Sequence, residues 1–81
     1  MSLEKLRIDL TEVDLEIINL LKKRFDICKK IAIEKKSLNL PVKNLMEKDK
    51  KWQLYGEHLN SYGMKIYTAI HTESVKFQNE L

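Results

Sequence analysis

The chain has 81 residues, a formal net charge of +3 and hydrophobic residues at 43% of its positions, with two glycines and one proline. This length predicts a single domain, 1–81, whose small size limits the apolar surface it can bury alone. The composition excludes a disordered chain, and no apolar run approaches the roughly 18 residues of a membrane span. We therefore expect an all-α protein in the cytoplasm, with no signal-peptide pattern at its start.

The first predicted element is a long helix that starts near Ser2 or Leu3, with Ser2 as its N-cap. It has neither glycine nor proline before Pro41, and about 35 residues would make it about 50 Å long. Its apolar residues recur in alternating steps of four and three, as in a leucine zipper. This apolar stripe consists of Leu6, Leu10, Val13, Ile17, Leu20, Arg24, Ile27 and Ile31.

Two shorter helices are predicted after Pro41. The second fits residues 46–59 with Asn44 as a candidate N-cap, residues 60–63 have the composition of a turn, and the third helix runs from about Met64 to the C-terminus. A helix as long as the first cannot bury its whole stripe against two short ones. We therefore expect half of the stripe to meet another copy of the chain, in a two-fold homodimer of interlocked three-helix chains.

Arg24 and Lys35 place two cations on nearly one face of the first helix, with no carboxylate beside them on that face. They are about 20° apart around the helix and about 16 Å apart along it. Arginine offers carboxylates a planar fork and lysine offers a compact charge, which favours an anion clamp over an acid–base pair. The alternative is an ion pair with Asp14, Asp26 or a glutamate of a neighbouring helix.

Arg7 carries a further cation on the same helix. It precedes Arg24 by seventeen residues, or about 25 Å along the axis, which is too far for both to hold one small molecule. Antiparallel pairing of two long helices could bring Arg7 of one copy toward Arg24 and Lys35 of the other.

Three other side chains receive ordinary roles. Cys28 lies near the stripe, where a small buried hydrophobe is the expected reading in preference to a reactive thiol. His58 and His71 are isolated and lack metal-ligand spacing, so we expect surface or helix-packing roles for them and no metal site. No alternation of basic and aromatic residues indicates nucleic-acid binding.

An ordered set of short segments covers nearly the whole chain. The segments are Leu6-Arg7, Val13-Asp14, Ile17 to Leu21, Lys23-Arg24, Lys35-Lys36, Leu40-Pro41-Val42, and Glu73-Ser74-Val75 with Gln78. Together they resemble the all-helical chorismate mutases, the AroQ class. The most specific parts are the ungapped spacing from Arg7 to Arg24 to Lys35 and the ending Glu-Ser-hydrophobic-x-x-Gln.

The resemblance implies both a fold and an activity. Enzymes of this class are intertwined homodimers of three-helix chains with two equivalent active sites, each receiving one arginine from the partner subunit. They convert chorismate, a dianion, to prephenate in aromatic amino acid biosynthesis. The rearrangement is intramolecular and needs no metal or other cofactor.

Site residues follow from the resemblance by position. Arg7 resembles the arginine given by the partner subunit and Arg24 the arginine of the same subunit, both of which bind carboxylates. Lys35 resembles the lysine that contacts a carboxylate and the ether oxygen. Gln78 resembles the glutamine on the other side of that oxygen, and Ser74 the serine near the ring carboxylate. Lys35 and Gln78 are thus the implied catalytic residues.

The chain departs from the family at the start of the second predicted helix. Counted from Pro41 without a gap, Glu47 and Lys48 occupy the positions where relatives carry Arg-Glu, and Asn44 replaces an aspartate. One inserted residue would instead place Lys48 and Asp49 there, with Lys48 substituting for the substrate-binding arginine. The carboxylate that should receive the substrate hydroxyl is lost in the first register and shortened in the second.

Other functions stay open at this point. An isochorismate-pyruvate lyase resembles the same scaffold and also needs a lysine at the ether oxygen. A non-catalytic sensor or interaction dimer would keep the fold without the activity; the altered residues Asn44, Glu47 and Lys48 favour it, whereas the retained cations oppose it. A nucleic-acid binder has only the net charge in its favour.

Overall fold

A computed structural model describes residues 2–81, which form two α-helices and no strand. Helix α1 spans Leu3–Ser37 and helix α2 spans Leu45–Asn79. The described chain measures 54 × 24 × 14 Å, and its long dimension matches the length of a 35-residue helix. The all-α prediction and the single long N-terminal helix are confirmed. Neither helix has an apolar stretch long enough to cross a bilayer.

Both ends of α1 follow from local sequence. The Ser2 hydroxyl accepts a hydrogen bond from a backbone N–H of the first turn at 3.1 Å, which confirms the predicted N-cap. At the other end Asn39 adopts a left-handed conformation with φ 55°. The N–H of Leu40 then donates to the carbonyl of Lys35 at 2.8 Å, which is the closing bond of a Schellman motif. Pro41 prevents the helix from resuming.

Helix α2 begins as predicted but bends where a longer turn was expected. Asn44 is its N-cap, and its side chain accepts from the backbone N–H of Glu47 at 3.2 Å. The predicted turn over residues 60–63 is wrong in extent, because only Asn60 leaves the helical conformation, at φ 55° and ψ −149°. Asparagine tolerates positive φ better than most residues, so one residue is enough to redirect the chain. The predicted second and third helices are therefore two arms of α2, residues 45–59 and 61–79.

The two arms of α2 fold against each other at this bend. The rings of Tyr55 and Tyr67 lie 4.9 Å apart, although twelve residues of straight helix would separate them by about 18 Å along the axis. Gly63 lies inside the bend. A Cβ there would overlap the carbonyl oxygen of Tyr55 and the side chain of Leu59. The absence of a side chain at Gly63 thus permits the close approach of the arms.

The C-terminal half of α1, residues 21–37, packs on the second arm of α2. The rings of Phe25 and Phe77 meet edge to face with centroids 5.1 Å apart. The buried apolar side chains of the described chain come from both helices. They are Cys28, Ala32 and Tyr67. Burial of Cys28 as a small hydrophobe is confirmed.

The N-terminal half of α1, residues 3–20, extends away from this core. All of its residues are exposed except Asp9, which is half-buried. Its uncovered apolar side chains are Leu3, Leu6, Ile8, Leu10, Val13, Leu15, Ile17, Ile18 and Leu20. Because nothing within one chain covers this surface, the homodimer stays a prediction, and these side chains are the surface at which a second copy would bind.

Candidate active site

An open cavity of about 530 Å³ lies between the C-terminal half of α1 and both arms of α2. Small-molecule sites usually occupy about 300 to 1,000 Å³, so this cavity suits a metabolite. Five of the six site residues predicted from sequence line it. They are Arg24, Lys35, Lys48, Ser74 and Gln78.

Arg24 joins the two helices at the cavity wall. Its Nη1 donates to the hydroxyl of Ser74 at 2.6 Å, and that hydroxyl donates to the carbonyl of Ile70 at 2.7 Å. The guanidinium also approaches Cys28 Sγ at 3.7 Å. No carboxylate of residues 2–81 forms an ion pair with Arg24. Its charge is therefore uncompensated within this part of the chain, contrary to the ion-pair alternative.

Lys35 and Gln78 both donate to backbone carbonyls beside the cavity. Lys35 is half-buried, and its Nζ donates to the carbonyl of Val42 at 2.7 Å. The Nε2 of Gln78 donates to the carbonyl of Cys28 at 2.9 Å. These acceptors are neutral, and charged acceptors form stronger hydrogen bonds with the same donors. An anionic ligand in the cavity could therefore compete for both side chains.

The first arm of α2 brings a mixed charge pattern to the opposite wall. Glu47 and Lys48 both line the cavity, whereas Asp49 does not. Lys48, which both registers of the sequence comparison include, therefore lines the cavity with Glu47 beside it. Lys48 is half-buried and its ammonium group makes no hydrogen bond or ion pair within residues 2–81, while the carboxylate of Glu47 meets Lys50 at 3.4 Å.

Cations outnumber carboxylates around the cavity. Four cationic side chains line it against one carboxylate, Glu47. At the effective dielectric constant typical of a protein surface, opposite charges about 4 Å apart attract by about 4 kcal/mol. The cavity is thus suited to an anion with more than one negative group. The cationic residues are Arg24, Lys35, Lys48 and Lys51.

Arg7 is the one predicted site residue that the single chain does not bring to the cavity. It lies on the exposed N-terminal half of α1, where its carbonyl accepts a hydrogen bond from the Thr11 hydroxyl at 3.0 Å. Seventeen residues of helix separate it from Arg24, as the sequence required. Within one chain, therefore, Arg7 cannot share a small ligand with Arg24.

Sequence reasoning missed two polar groups on the second arm of α2, Tyr67 and His71. Tyr67 is 2% exposed and His71 is half-buried, and both line the cavity. Burial raises the pKa of Tyr67, with partial opposition from the charge of Arg24. Burial lowers the pKa of His71, and the charges of Lys48, Lys43 and Arg24 add to that effect. The spacing of His71, Ser74 and Gln78 by three and four residues is the one signal that links this histidine to the site.

One comparison with known proteins gives a match. A family model described as chorismate mutase type II matches residues 6–79. The matched span contains every predicted site residue, from Arg7 to Gln78. No curated protein and no solved structure matches the chain significantly.

Proposed function

Since this chain belongs to the chorismate mutase type II family, we propose that it catalyses the rearrangement of chorismate to prephenate. The observation that carries the proposal is the cavity itself, in which four cations face one carboxylate. Chorismate carries two carboxylates and rearranges within one molecule. A site for this reaction needs to hold the substrate in its reactive conformation and to stabilise the charge that grows on the ether oxygen. Positioned cations and amide donors do both.

Arg24 is proposed to bind one substrate carboxylate. Its guanidinium already points at the Ser74 hydroxyl with no carboxylate of the described chain attached to it. A bidentate bond to a carboxylate is stronger than the present bond to a neutral hydroxyl. Holding the enolpyruvyl group over the ring removes part of the entropic barrier.

Lys35 and Gln78 are proposed to bind the ether oxygen from two sides. Negative charge grows on this oxygen as the C–O bond breaks, so donors placed there stabilise the transition state more than the substrate. In the present structure both side chains donate to the neutral carbonyls of Val42 and Cys28. When the ligand binds, each side chain would exchange its hydrogen bond to a carbonyl for one to the ether oxygen.

A second copy of the chain is proposed to supply Arg7 to this cavity. The exposed apolar side chains of residues 3–20 support an antiparallel helix pairing, because this half of α1 has no cover within its own chain. Such a two-fold pairing would bring Arg7 of each copy toward Arg24 of the other. Each dimer would then have two sites, and each site would use residues from both chains.

The activity is tested by following the ultraviolet loss of chorismate with purified protein. We expect a rate well above the spontaneous one, and a loss on the order of a hundredfold or more in Lys35→Ala. Lys36→Ala is the matched control, because Lys36 is the exposed neighbour and does not line this cavity. A wild-type rate equal to the spontaneous rate would refute the proposal. Release of pyruvate from isochorismate would instead favour the lyase alternative.

A non-catalytic sensor dimer is the second candidate, and one observation favours it. Glu47 lines the cavity beside Lys48, so a carboxylate stands near the place where an anion is to bind. Calorimetric binding of chorismate with no turnover would support this candidate over the enzyme.

A further inference from the structure

His71 has a buried polar atom that the proposed rearrangement does not use. Its Nε2 is shielded from solvent and has no hydrogen-bond partner within residues 2–81. The residue nevertheless lines the cavity of about 530 Å³. A buried polar atom without a partner destabilises the structure that contains it. A ligand group that reaches His71 through a small ring movement would remove this cost.

Lys48 complements this histidine across the same cavity. Both side chains line this cavity. Burial lowers the pKa of His71, and the charge of Lys48 adds to that effect. Lys48 is half-buried, and its ammonium group makes no hydrogen bond or ion pair in the described chain. An ammonium group can only donate hydrogen bonds, whereas a neutral imidazole has one nitrogen that accepts.

The surroundings of His71 keep it neutral near pH 7. Lys43 and Lys48 act on it from the start of α2 and the segment before it, and Arg24 acts from α1. Tyr67 stacks beside it on its own arm, with ring centroids 5.9 Å apart. Glu47 is the one carboxylate that lines the cavity. Burial together with the three cations lowers the pKa of His71, so its unprotonated nitrogen stays available as an acceptor.

We propose that Lys48 and His71 together recognise a hydroxyl group of the ligand, with the ammonium donating to the hydroxyl oxygen and the imidazole accepting from the hydroxyl hydrogen. A hydroxyl is a small group that both accepts and donates. A carboxylate at this point would leave the imidazole nitrogen without a donor, and an apolar group would leave both side chains unsatisfied. The inference rests on the proposed function, because it assigns this hydroxyl to the ring of chorismate. His71 is thus a specificity-determining residue. Lys48 and His71 would bind the hydroxyl in place of the carboxylate that this chain lacks where Glu47 and Lys48 depart from the family pattern.

The test compares chorismate with an analogue in which hydrogen replaces the ring hydroxyl. His71→Leu should lower kcat/KM for chorismate roughly tenfold, because one hydrogen bond is lost, and should change kcat/KM for the analogue by less than about twofold. His71→Gln should restore part of the loss, since its amide can still accept. His58→Leu is the matched control, because His58 is exposed on the first arm of α2 and does not line the cavity.

Each remaining outcome also decides the question. Equal losses for both ligands, or no loss, would overturn the recognition of a hydroxyl. If His71→Leu does not fold, Lys48→Met and His71→Gln give the same comparison, and the hydroxyl preference should weaken in Lys48→Met. If the wild type binds chorismate without turnover, the catalytic proposal fails and calorimetric Kd values replace kcat/KM in the comparison. If it binds neither ligand, the proposed function and this inference both fail.

Discussion

The two halves of α1 carry one continuous apolar stripe but have different surroundings. In residues 21–37 a flank of the stripe meets α2 and buries Cys28 and Ala32, although Ile27 of the stripe itself stays 55% exposed. In residues 3–20 the same spacing continues, no residue is buried, and Ile17 is 47% exposed. Periodicity therefore defines which face of a helix is apolar without defining what covers it. One half of α1 packs one of its faces on α2 within the chain, and the other half requires a partner in our proposal.

The largest expected effect comes from a charge on the uncovered half of the stripe. Ile17→Asp should prevent dimer formation and abolish chorismate turnover, because a carboxylate cannot be buried unpaired in an apolar interface. Sedimentation equilibrium would report the mass. Asn19→Asp is the control, since Asn19 is exposed and lies nearly opposite Ile17 around the helix at 100° per residue. Equal behaviour of the two variants would refute the proposed interface.

The next largest effect is expected at Arg7. It distinguishes a site built from one chain from a site that two chains share. Arg7→Ala should lower kcat/KM on the order of a hundredfold, although the Arg7 side chain makes no hydrogen bond or ion pair within residues 2–81. The dimer mass should stay unchanged. Lys22→Ala, an exposed cation of α1 away from the cavity, should keep wild-type kinetics. Full activity in Arg7→Ala would limit the site to one chain.

A stability effect is expected at the bend of α2. Gly63→Ala should destabilise the fold by about 1 to 3 kcal/mol, because the new Cβ would overlap the backbone carbonyl of Tyr55. Gly56→Ala is the matched control, since its Cβ would meet only the flexible end of the Met64 side chain. Thermal unfolding measures both. A smaller loss in Gly63→Ala than in Gly56→Ala would contradict the close approach of the arms.

The smallest effect concerns pH. The folded protein lowers the pKa of His71, mainly through burial, so the unfolded chain takes up this proton first as the pH falls. The stabilisation is complete above the ordinary histidine pKa of about 6.5 and is lost as the pH falls through the lowered folded value. His71→Leu should therefore lose less stability than the wild type between about pH 7 and pH 5. Parallel unfolding curves at both pH values would show that His71 makes no such contribution.

Much of the fold could be predicted from local sequence. Ser2 and Asn44 are N-caps with side-chain acceptors in place, and the stop before Pro41 is a left-handed Asn39. Each of these features depends on a few consecutive residues, which is why it could be predicted from the sequence. The bend at Asn60 was located correctly but predicted too long, because turn composition does not reveal how few residues must leave the helix.

The site was predictable only in part. The ordered spacing pointed to Arg24, Lys35, Ser74 and Gln78, and these four residues line one cavity. His71 was assigned an ordinary role because an isolated histidine has no local signal. Its place at the cavity depends on the bend in α2, which brings residues from both arms to one cavity.

The measurement that tests the account most directly is activity after mixing two inactive variants. Arg7→Ala and Lys35→Ala each remove one group from every site in their own dimers. After subunit exchange, half of the dimers should be mixed, and one of the two sites in each would combine an intact Arg7 with an intact Lys35. We predict recovery of about a quarter of wild-type turnover. Mixed dimers that form and stay inactive would contradict a site shared between two copies of this chain.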